Sequence, residues 1–492
     1  MLPHVDALTN RLRLFFRGAW PIIQQGSTCT LSWHIAQTYC RIGARLLRGD
    51  VRNVAIAVPP GSAKNLFFNV ILPVFSWTID PTLRWLFASF DDSLEVRDGR
   101  MREALLSSEW FRARWPDVQI KQPFSALDAW STAGGWFAGV TIGGKATGRH
   151  ADFKVTNDPH KASEFASPAR LASVVNWHGE TLGSRNRDVH TVRDIVIHQR
   201  GNEADLIGSI IARPNQGGYE YVRLPARCEA DNPCPGHDLR TRDGQTLWDR
   251  LPEKELQQIE KTIGSFAFAG QYMQRPAPLA GGIIKRKDIR HYEVTPDLRE
   301  CDQVILSADL AFTGKATSDF SVIQCWARKG GTIFLIDEVR ARLEFPEMIR
   351  AIQGLSDRYR PHVIVIEGKA SGSAVVDTLR REFTNVVTYD PRDSKEARLA
   401  SVSPLFESGA VLVPSKKIAA WIDEWIEEVT TFPGARFDDR VDACSQALIR
   451  LGDTNGDYLS KLATISQAME GGLAPVWGRS LMHTFSAMRN RN

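Results

Sequence analysis

The run NVAIAVPPGSAKNLFFNVILPVFSW, residues 53–77, constrains this chain more than any other stretch. VAIAV (54–58) is short, apolar and rich in β-branched residues, the signature of a strand buried on both faces. The apolar LFFNVILPVFSW that follows reads as a helix, and PPGSAKN turns the chain between them. A strand, a glycine-bearing turn and a helix aim the helix's first backbone amides at one point, where an anion can bind. In the usual phosphate loop, glycines let those amides converge, a lysine reaches the terminal phosphates and a Ser or Thr hydroxyl ligates Mg²⁺. Here Pro60, Gly61, Ser62 and Lys64 suit that design, but Ala63 stands where Gly is usual and Asn65 where the hydroxyl is usual.

Around this run strands and helices alternate. RWLFASF (84–90) reads as a second strand, followed by DDSLEVRDGRMREALLSS with its charges on a helical period. ADFKVTND and DIVIHQR add further strands, and residues 32–48 form a helix ending in basic residues before Gly49. This alternation predicts a parallel sheet with crossover helices. From 265 onward, FAFAGQYMQRPAPLAGGIIKRKDI gathers Pro, Ala and Gly, marking a domain boundary. At 492 residues, two to three domains are expected.

Beyond the boundary the pattern changes. Three apolar runs at 303–309, 320–327 and 332–338 predict an antiparallel meander, followed by helix, strand (HVIVIEGK), helix, two short strands and two closing helices. The expected division is 1–275, a linker at 276–300, 301–453, and a basic C-terminal tail at 454–492.

The bulk numbers exclude little. A formal charge of +4 permits local basic faces without requiring a nucleic-acid partner. Seven scattered cysteines give no disulfide framework and point to a reducing compartment; Cys228, Cys234 and His237 lack the second ligand pair of a zinc site. The N-terminal MLPHVDALTNRLRLFF lacks a signal-peptide pattern, and no run approaches the length of a membrane span, so an unexported soluble protein is expected.

The acidic residues of the second unit carry the clearest chemistry. Asp309 closes VILSAD, Glu367 closes VIVIE, and Asp438, Asp439 and Asp442 lie in FDDRVDA at a helix start, with 439 and 442 three apart. Singly, each has a structural explanation, such as capping a helix or opening a turn. Together they make an oxygen-rich set for Mg²⁺ or Mn²⁺, and two such ions about 4 Å apart activate water and stabilise the leaving oxygen in phosphodiester hydrolysis. Asp319 and Lys369 are auxiliary candidates.

In this order (an Asp, a three-strand meander, a helix, a strand ending in Glu, a DDxxD helix) the second unit resembles an RNase H-like nuclease. The whole chain resembles a tailed-phage terminase large subunit. RGAWPIIQQG, LSWHIAQ, the PP-plus-Lys turn, ASFDDSLEVRDGRMREALLSSEWF, ADFKVTNDPHK, HQRGNEADLIG, FAGQYMQRPAP and FDDRVDACSQAL follow the family order over roughly residues 15–455.

The resemblance implies an α/β fold, with an N-terminal P-loop ATPase domain of the ASCE type on a parallel sheet and a C-terminal RNase H-like nuclease domain on a mixed sheet. It implies ATP with Mg²⁺ in the motor and Mg²⁺ or Mn²⁺ at Asp309, Glu367, Asp439 and Asp442 in the nuclease. Trp20 and Gln25 fall in the adenine-contacting segment, Asn157 and Asp158 in the Walker B region, and Gln199 and Arg200 in the coupling motif. Arg97, Arg100 and Arg102 occupy the helix from which such motors present a trans-acting arginine. The expected partners are double-stranded DNA, a portal protein, a small subunit and sister copies, as a pentamer while packaging in the host cytoplasm and a monomer when free. Ala63, Asn65 and Asn157, with Lys154 in a normally apolar strand, depart from the family pattern. Two readings of the motor stay open: one compensated by Asp158 or Asp152, and one degenerate.

Overall fold

The computed structural model describes residues 6–452 apart from 122–127, 132, 145, 147, 162–163, 166, 230–235, 277–281, 312–319, 368–377, 392 and 436. The tail at 454–492, Asp319, Lys369 and Cys234 therefore lie outside the described residues. The chain forms two compact units, one taking in the chain to Leu256 together with Ala269–Pro276, the other Gln257–Phe268 and the chain from Ala277 onward. No helix among the described residues is long and apolar enough to cross a membrane.

The first unit is built on seven strands: β1 (Asn53–Ala57), β2 (Arg84–Ser89), β3 (Asp128–Trp130), β4 (Trp136–Thr141), β5 (Phe153–Asn157), β6 (Arg193–His198) and β7 (Tyr219–Arg223). They lie in the order β3-β4-β2-β5-β6-β1-β7, parallel throughout except for the β3–β4 pair. β1 sits between β6 and β7, which explains why VAIAV carries no polar face: Val54 to Ala57 are wholly buried. Phe67, Phe68, Ile71 and Leu72 on the helix after the turn pack into the same core. Each buried residue of that size contributes about 2 kcal/mol.

One sequence departure resolves within this sheet. Lys154 on β5 lies in register with Asp194 on β6, and Lys154 Nζ is 3.2 Å from Asp194 Oδ2. Both are buried, and His178 Nε2 stands 3.6 Å from the other Asp194 oxygen. Lys154, set against the apolar norm of its strand, is thus neutralised by its cross-strand neighbour. Asp152, weighed as a compensating carboxylate for the motor, sits before the N-terminal end of β5 and accepts from the Arg84 amide at 2.9 Å and from Arg187 at 3.1 Å. Asn157 lies five residues further along the strand, roughly 17 Å of extended chain, so Asp152 does not supply the missing charge.

The second unit has seven strands: β8 (Arg290–Tyr292), β9 (Gln303–Asp309), β10 (Ser321–Lys329), β11 (Thr332–Ala341), β12 (Val363–Glu367), β13 (Val386–Tyr389) and β14 (Val411–Pro414). Their order is β13-β12-β9-β10-β11-β14-β8, with an antiparallel β9-β10-β11 meander and parallel strands on both sides. The stretch expected as a linker, 276–300, is largely part of this unit: β8 pairs with β14, and Ile283 and Ile284 are buried in its core. Its polar composition fits an edge strand, which tolerates an exposed face.

The helices Lys395–Glu407 and Asp439–Gly452 pack on the sheet. Ser307 Oγ donates to the Ala443 carbonyl at 2.7 Å, and Gln446 Nε2 donates to Ser307 Oγ at 3.0 Å and to the Val365 carbonyl at 3.1 Å. These buried bonds tie the last helix to β9 and β12, the strands ending in Asp309 and Glu367.

Candidate functional site

The turn after β1 has the backbone of an anion-binding loop. Gly61 has φ 75° and Ala63 has φ 58°, and the helix begins at Lys64. Ala63 thus adopts the left-handed conformation that glycine accepts without strain, at a cost of about 1 kcal/mol. His34 braces the turn: its Nε2 donates to the Ser62 carbonyl at 3.2 Å, and burial holds the ring neutral by pushing its pKa down to about 4. His34 was overlooked as a site residue because nothing in LSWHIAQ indicates which distant segment its ring will meet.

Lys64 is buried and its Nζ lies 3.0 Å from Asp158 Oδ1, while Asn65 Nδ2 reaches Asp158 Oδ2 at 3.4 Å. Asp158, just past β5, also has positive φ, 42°. Beside it Asn157 is fully buried with neither amide atom hydrogen-bonded; Asn65 Oδ1 and Gln199 Oε1 are likewise without hydrogen-bond partners. Unpaired buried polar atoms of this kind are costly. Gathered at or just past the C-terminal ends of β1, β5 and β6, they fit a polar ligand such as Mg²⁺-nucleotide in kind, although all three residues offer neutral amides. The structure therefore joins Lys64, Asn65 and Asp158.

The neighbouring HQR segment is held by buried hydrogen bonds. His198 Nδ1 donates to the Gln199 carbonyl at 2.6 Å, and its Nε2 accepts from the Ile207 amide at 3.3 Å. Arg200 Nε contacts both oxygens of Asp205, at 2.8 and 2.9 Å. Arg200 is thereby buried in an internal pair.

Other expected positions lie elsewhere. Trp20 is a core residue whose Nε1 donates to Ser27 Oγ at 2.9 Å. Gln25 is exposed and lines a cleft of about 640 Å³ with Ile22, Ile23, Arg97 and Arg100. Arg102 is not available to a neighbouring copy: it is 2 % exposed, lies 4.2 Å over the Phe87 ring and pairs with Glu95. His237 Nε2 lies 3.1 Å from Glu220, so the ring is engaged by a carboxylate.

In the second unit Asp309 closes β9, Glu367 closes β12, and Asp442 lies one turn into the last helix. Burial first, then the charges of Asp442 and Glu367, push the Asp309 carboxyl up to about 8. The charges of Asp442 and Glu367 therefore bear on the Asp309 carboxyl. Two cations that sequence reasoning missed hold them: Arg398 Nη2 and Lys395 Nζ each lie 2.6 Å from one oxygen of Asp442. Arg398 Nη1 is 3.8 Å from Glu367, and Lys395 also reaches Asp438 at 2.9 Å.

Asp439 faces another way. Its Oδ2 lies 3.7 Å from Arg340, and burial and then the Glu428 charge raise its carboxyl to about 6. It borders a second buried network in which Arg440 pairs with Glu338 at 2.8 Å and Glu428 at 3.4 Å. The split is one of partners: Asp438 and Asp442 share Lys395, whereas Asp439 lies beside Arg340. In donor type, Asp309, Glu367 and Asp442 suit a hard divalent cation. Among the described residues no three His, Cys, Asp or Glu side chains surround one point closely enough to be its ligands.

Residues 306–451 match the family model of the Terminase RNaseH-like domain. No curated protein matches the chain. Among solved structures, the large terminase of the thermophilic bacteriophage D6E aligns at 10 % identity over 83 % of this chain and 98 % of its own, with a TM-score of 0.45. The same protein in complex with ATP-gamma-S aligns at 9 % identity over 82 % and 97 %, with a TM-score of 0.46. The large terminase nuclease of thermophilic phage G20c with bound magnesium aligns at 18 % identity over 35 % of this chain and 99 % of its own, with a TM-score of 0.28. The match over residues 306–451 spans the strands and the helix carrying Asp309, Glu367 and Asp442, and likens the second unit of this chain to a terminase RNaseH-like domain.

Proposed function

We propose that the chain is a phage-type large terminase that cuts double-stranded DNA with divalent metal at Asp309, Glu367 and Asp442 and drives DNA into a capsid shell with ATP. The observation that carries this reading is the placement of Asp309 and Glu367 on strand ends and of Asp442 on the last helix within a terminase RNaseH-like domain, where burial and then the charges of Asp442 and Glu367 raise Asp309 to about 8. Surplus negative charge of that kind is relieved by a bound cation. Mg²⁺ or Mn²⁺ there supplies Lewis-acid polarisation of the phosphate and a more acidic water. The chain's part is to fix the carboxylates on strand ends tied by Ser307 and Gln446, with Asp439 and Arg340 at the rim. DNA is held through its phosphates, so cutting has little sequence preference and binding weakens with salt.

In the first unit Lys64 would hold the terminal phosphates, Asn65 and Asn157 would face the metal with amides, Asp158 would orient water, and Gln199 would sense the γ-phosphate. The working partners would be a portal, a small subunit and sister copies, transiently at the shell in the host cytoplasm.

A second reading, a nuclease with a degenerate motor, is favoured by two features: Asn157 is fully buried and neutral, and Lys64 is engaged by Asp158. The test has two arms. Supercoiled plasmid is expected to be nicked with Mn²⁺ but not in EDTA, with loss of nicking in Asp309→Asn and Glu367→Gln; unaltered cutting by both variants ends the nuclease assignment. DNA-stimulated ATP turnover that disappears in Lys64→Ala supports the motor, and equal turnover in both proteins supports the degenerate reading.

A further inference from the structure

We propose that Lys395 and Arg398 form a charge latch on Asp442 that keeps divalent metal weakly bound until a DNA phosphate draws the two cations away. The inference rests on the nuclease reading and adds an order of events to it. Lys395 and Arg398 stand three residues apart on the first turn of the helix Lys395–Glu407, so both side chains leave the same face. Ser394 caps that turn, its Oγ accepting from the Ala397 amide at 3.3 Å.

Each oxygen of Asp442 already has a cation at 2.6 Å, Arg398 on Oδ1 and Lys395 on Oδ2. A divalent ion ligated by Asp442 would stand a few ångströms from both positive groups. In a site as closed as this, with the Asp442 and Arg398 side chains each only 4 % exposed, that repulsion is weakly screened. The latch therefore satisfies Asp442 in the metal-free protein and opposes the ion that Asp309 and Glu367 favour.

Arg398 also shows where its charge can go. Its Nε and Nη1 are buried without hydrogen-bond partners, and Nη1 approaches Glu367 only to 3.8 Å. Once Nη2 leaves Asp442, the planar guanidinium can offer a phosphate two parallel N–H bonds, one to each of two oxygens. Lys395, 38 % exposed, can swing toward solvent or toward the same phosphate. A backbone phosphate entering the site thus offers both cations a new partner, and Asp442 becomes free to bind metal.

The test measures Mn²⁺ binding to the full chain from the electron paramagnetic resonance signal of the free ion, with and without a short DNA duplex, read before cutting sets in. Without DNA, Lys395→Met is expected to bind Mn²⁺ roughly five- to tenfold more tightly than the native chain, as loss of one nearby positive charge predicts. The duplex should tighten Mn²⁺ binding by a similar factor in the native chain and little in Lys395→Met. Arg398→Lys keeps the charge but lacks the fork, so it should stay weak without DNA and lose much of the gain with it. Native circular dichroism of each variant shows that the comparison is made on folded protein. Equal or weaker Mn²⁺ binding by Lys395→Met, or a native affinity indifferent to DNA, overturns the latch. If the native chain nicks plasmid while the affinities are equal, only the latch fails; if it neither binds Mn²⁺ nor nicks, the nuclease reading fails with it.

Discussion

Lys64 Nζ and Asp158 Oδ1 stand 3.0 Å apart, each buried, so the lysine that should meet a phosphate holds a carboxylate. Removing one partner strands the other charge in a closed site. Lys64→Met is expected to cost about 3 kcal/mol, read by urea denaturation, whereas Lys64→Met with Asp158→Asn should recover much of that loss. If the double variant is no more stable than the single, the pair is not the source of the effect. A nucleotide that binds must take Lys64 from Asp158, so ATP should protect the native chain and neither variant.

Ala63, at φ 58°, gives a second test. Ala63→Gly relieves left-handed strain but adds freedom to the unfolded chain, and the two effects, each about 1 kcal/mol, nearly cancel. Ala63→Val cannot adopt this conformation cheaply and should cost about 2 kcal/mol. Thermal melting separates the two; equal melting temperatures for Gly and Val would show that the turn does not require this backbone shape.

The raised carboxyl of Asp309 predicts a pH dependence with a definite sign. Its ordinary value is 3.8 and the folded value about 8. Between these, the folded chain keeps a proton that the unfolded chain has lost, so stability in EDTA falls as pH rises from about 4 to 8. Asp309→Asn should flatten that slope, and Mg²⁺ should stabilise the native chain more at the alkaline end. Melting curves at several pH values check this, and an equally steep slope in the variant refutes it.

The Ser307 hydroxyl joins β9 to the last helix through Ala443 and Gln446. Ser307→Ala leaves the Gln446 amide partly unsatisfied and should cost about 1–2 kcal/mol. Because these bonds fix Asp442 relative to Asp309, the Mn²⁺ concentration for half-maximal nicking should rise as well. Lower stability with an unchanged Mn²⁺ requirement would limit Ser307 to holding the fold.

Much of this architecture is legible in the sequence. VAIAV, RWLFASF, VILSAD and VIVIE are apolar runs closed by turns or acids, and each became a strand of a buried sheet because two-sided burial leaves no room for polar residues. The carboxylates were visible because an acid ending an apolar strand has few other roles. β4 was hidden because its glycines read as loop punctuation, and β8 because three polar residues on a sheet edge have no pattern. Lys395 and Arg398 were invisible: the helix Lys395–Glu407 that carries them is missing from the expected order of elements, and their partner Asp442 lies 44 residues from Arg398. Arg102 was misleading for the opposite reason, since Glu95, Asp98 and Arg102 share one helical face that turns inward.

The cross-strand pair of Lys154 and Asp194 has one more implication. A cation in the middle of a buried strand is tolerable only with its anion in place, and the anion alone would be equally unwelcome. These two positions should therefore be inherited as a unit: relatives with an aliphatic residue at one should have a neutral residue at the other, and lineages with only half the pair should be scarce. That rule turns an oddity on one strand into a marker, readable from two letters, for the branch from which this chain descends.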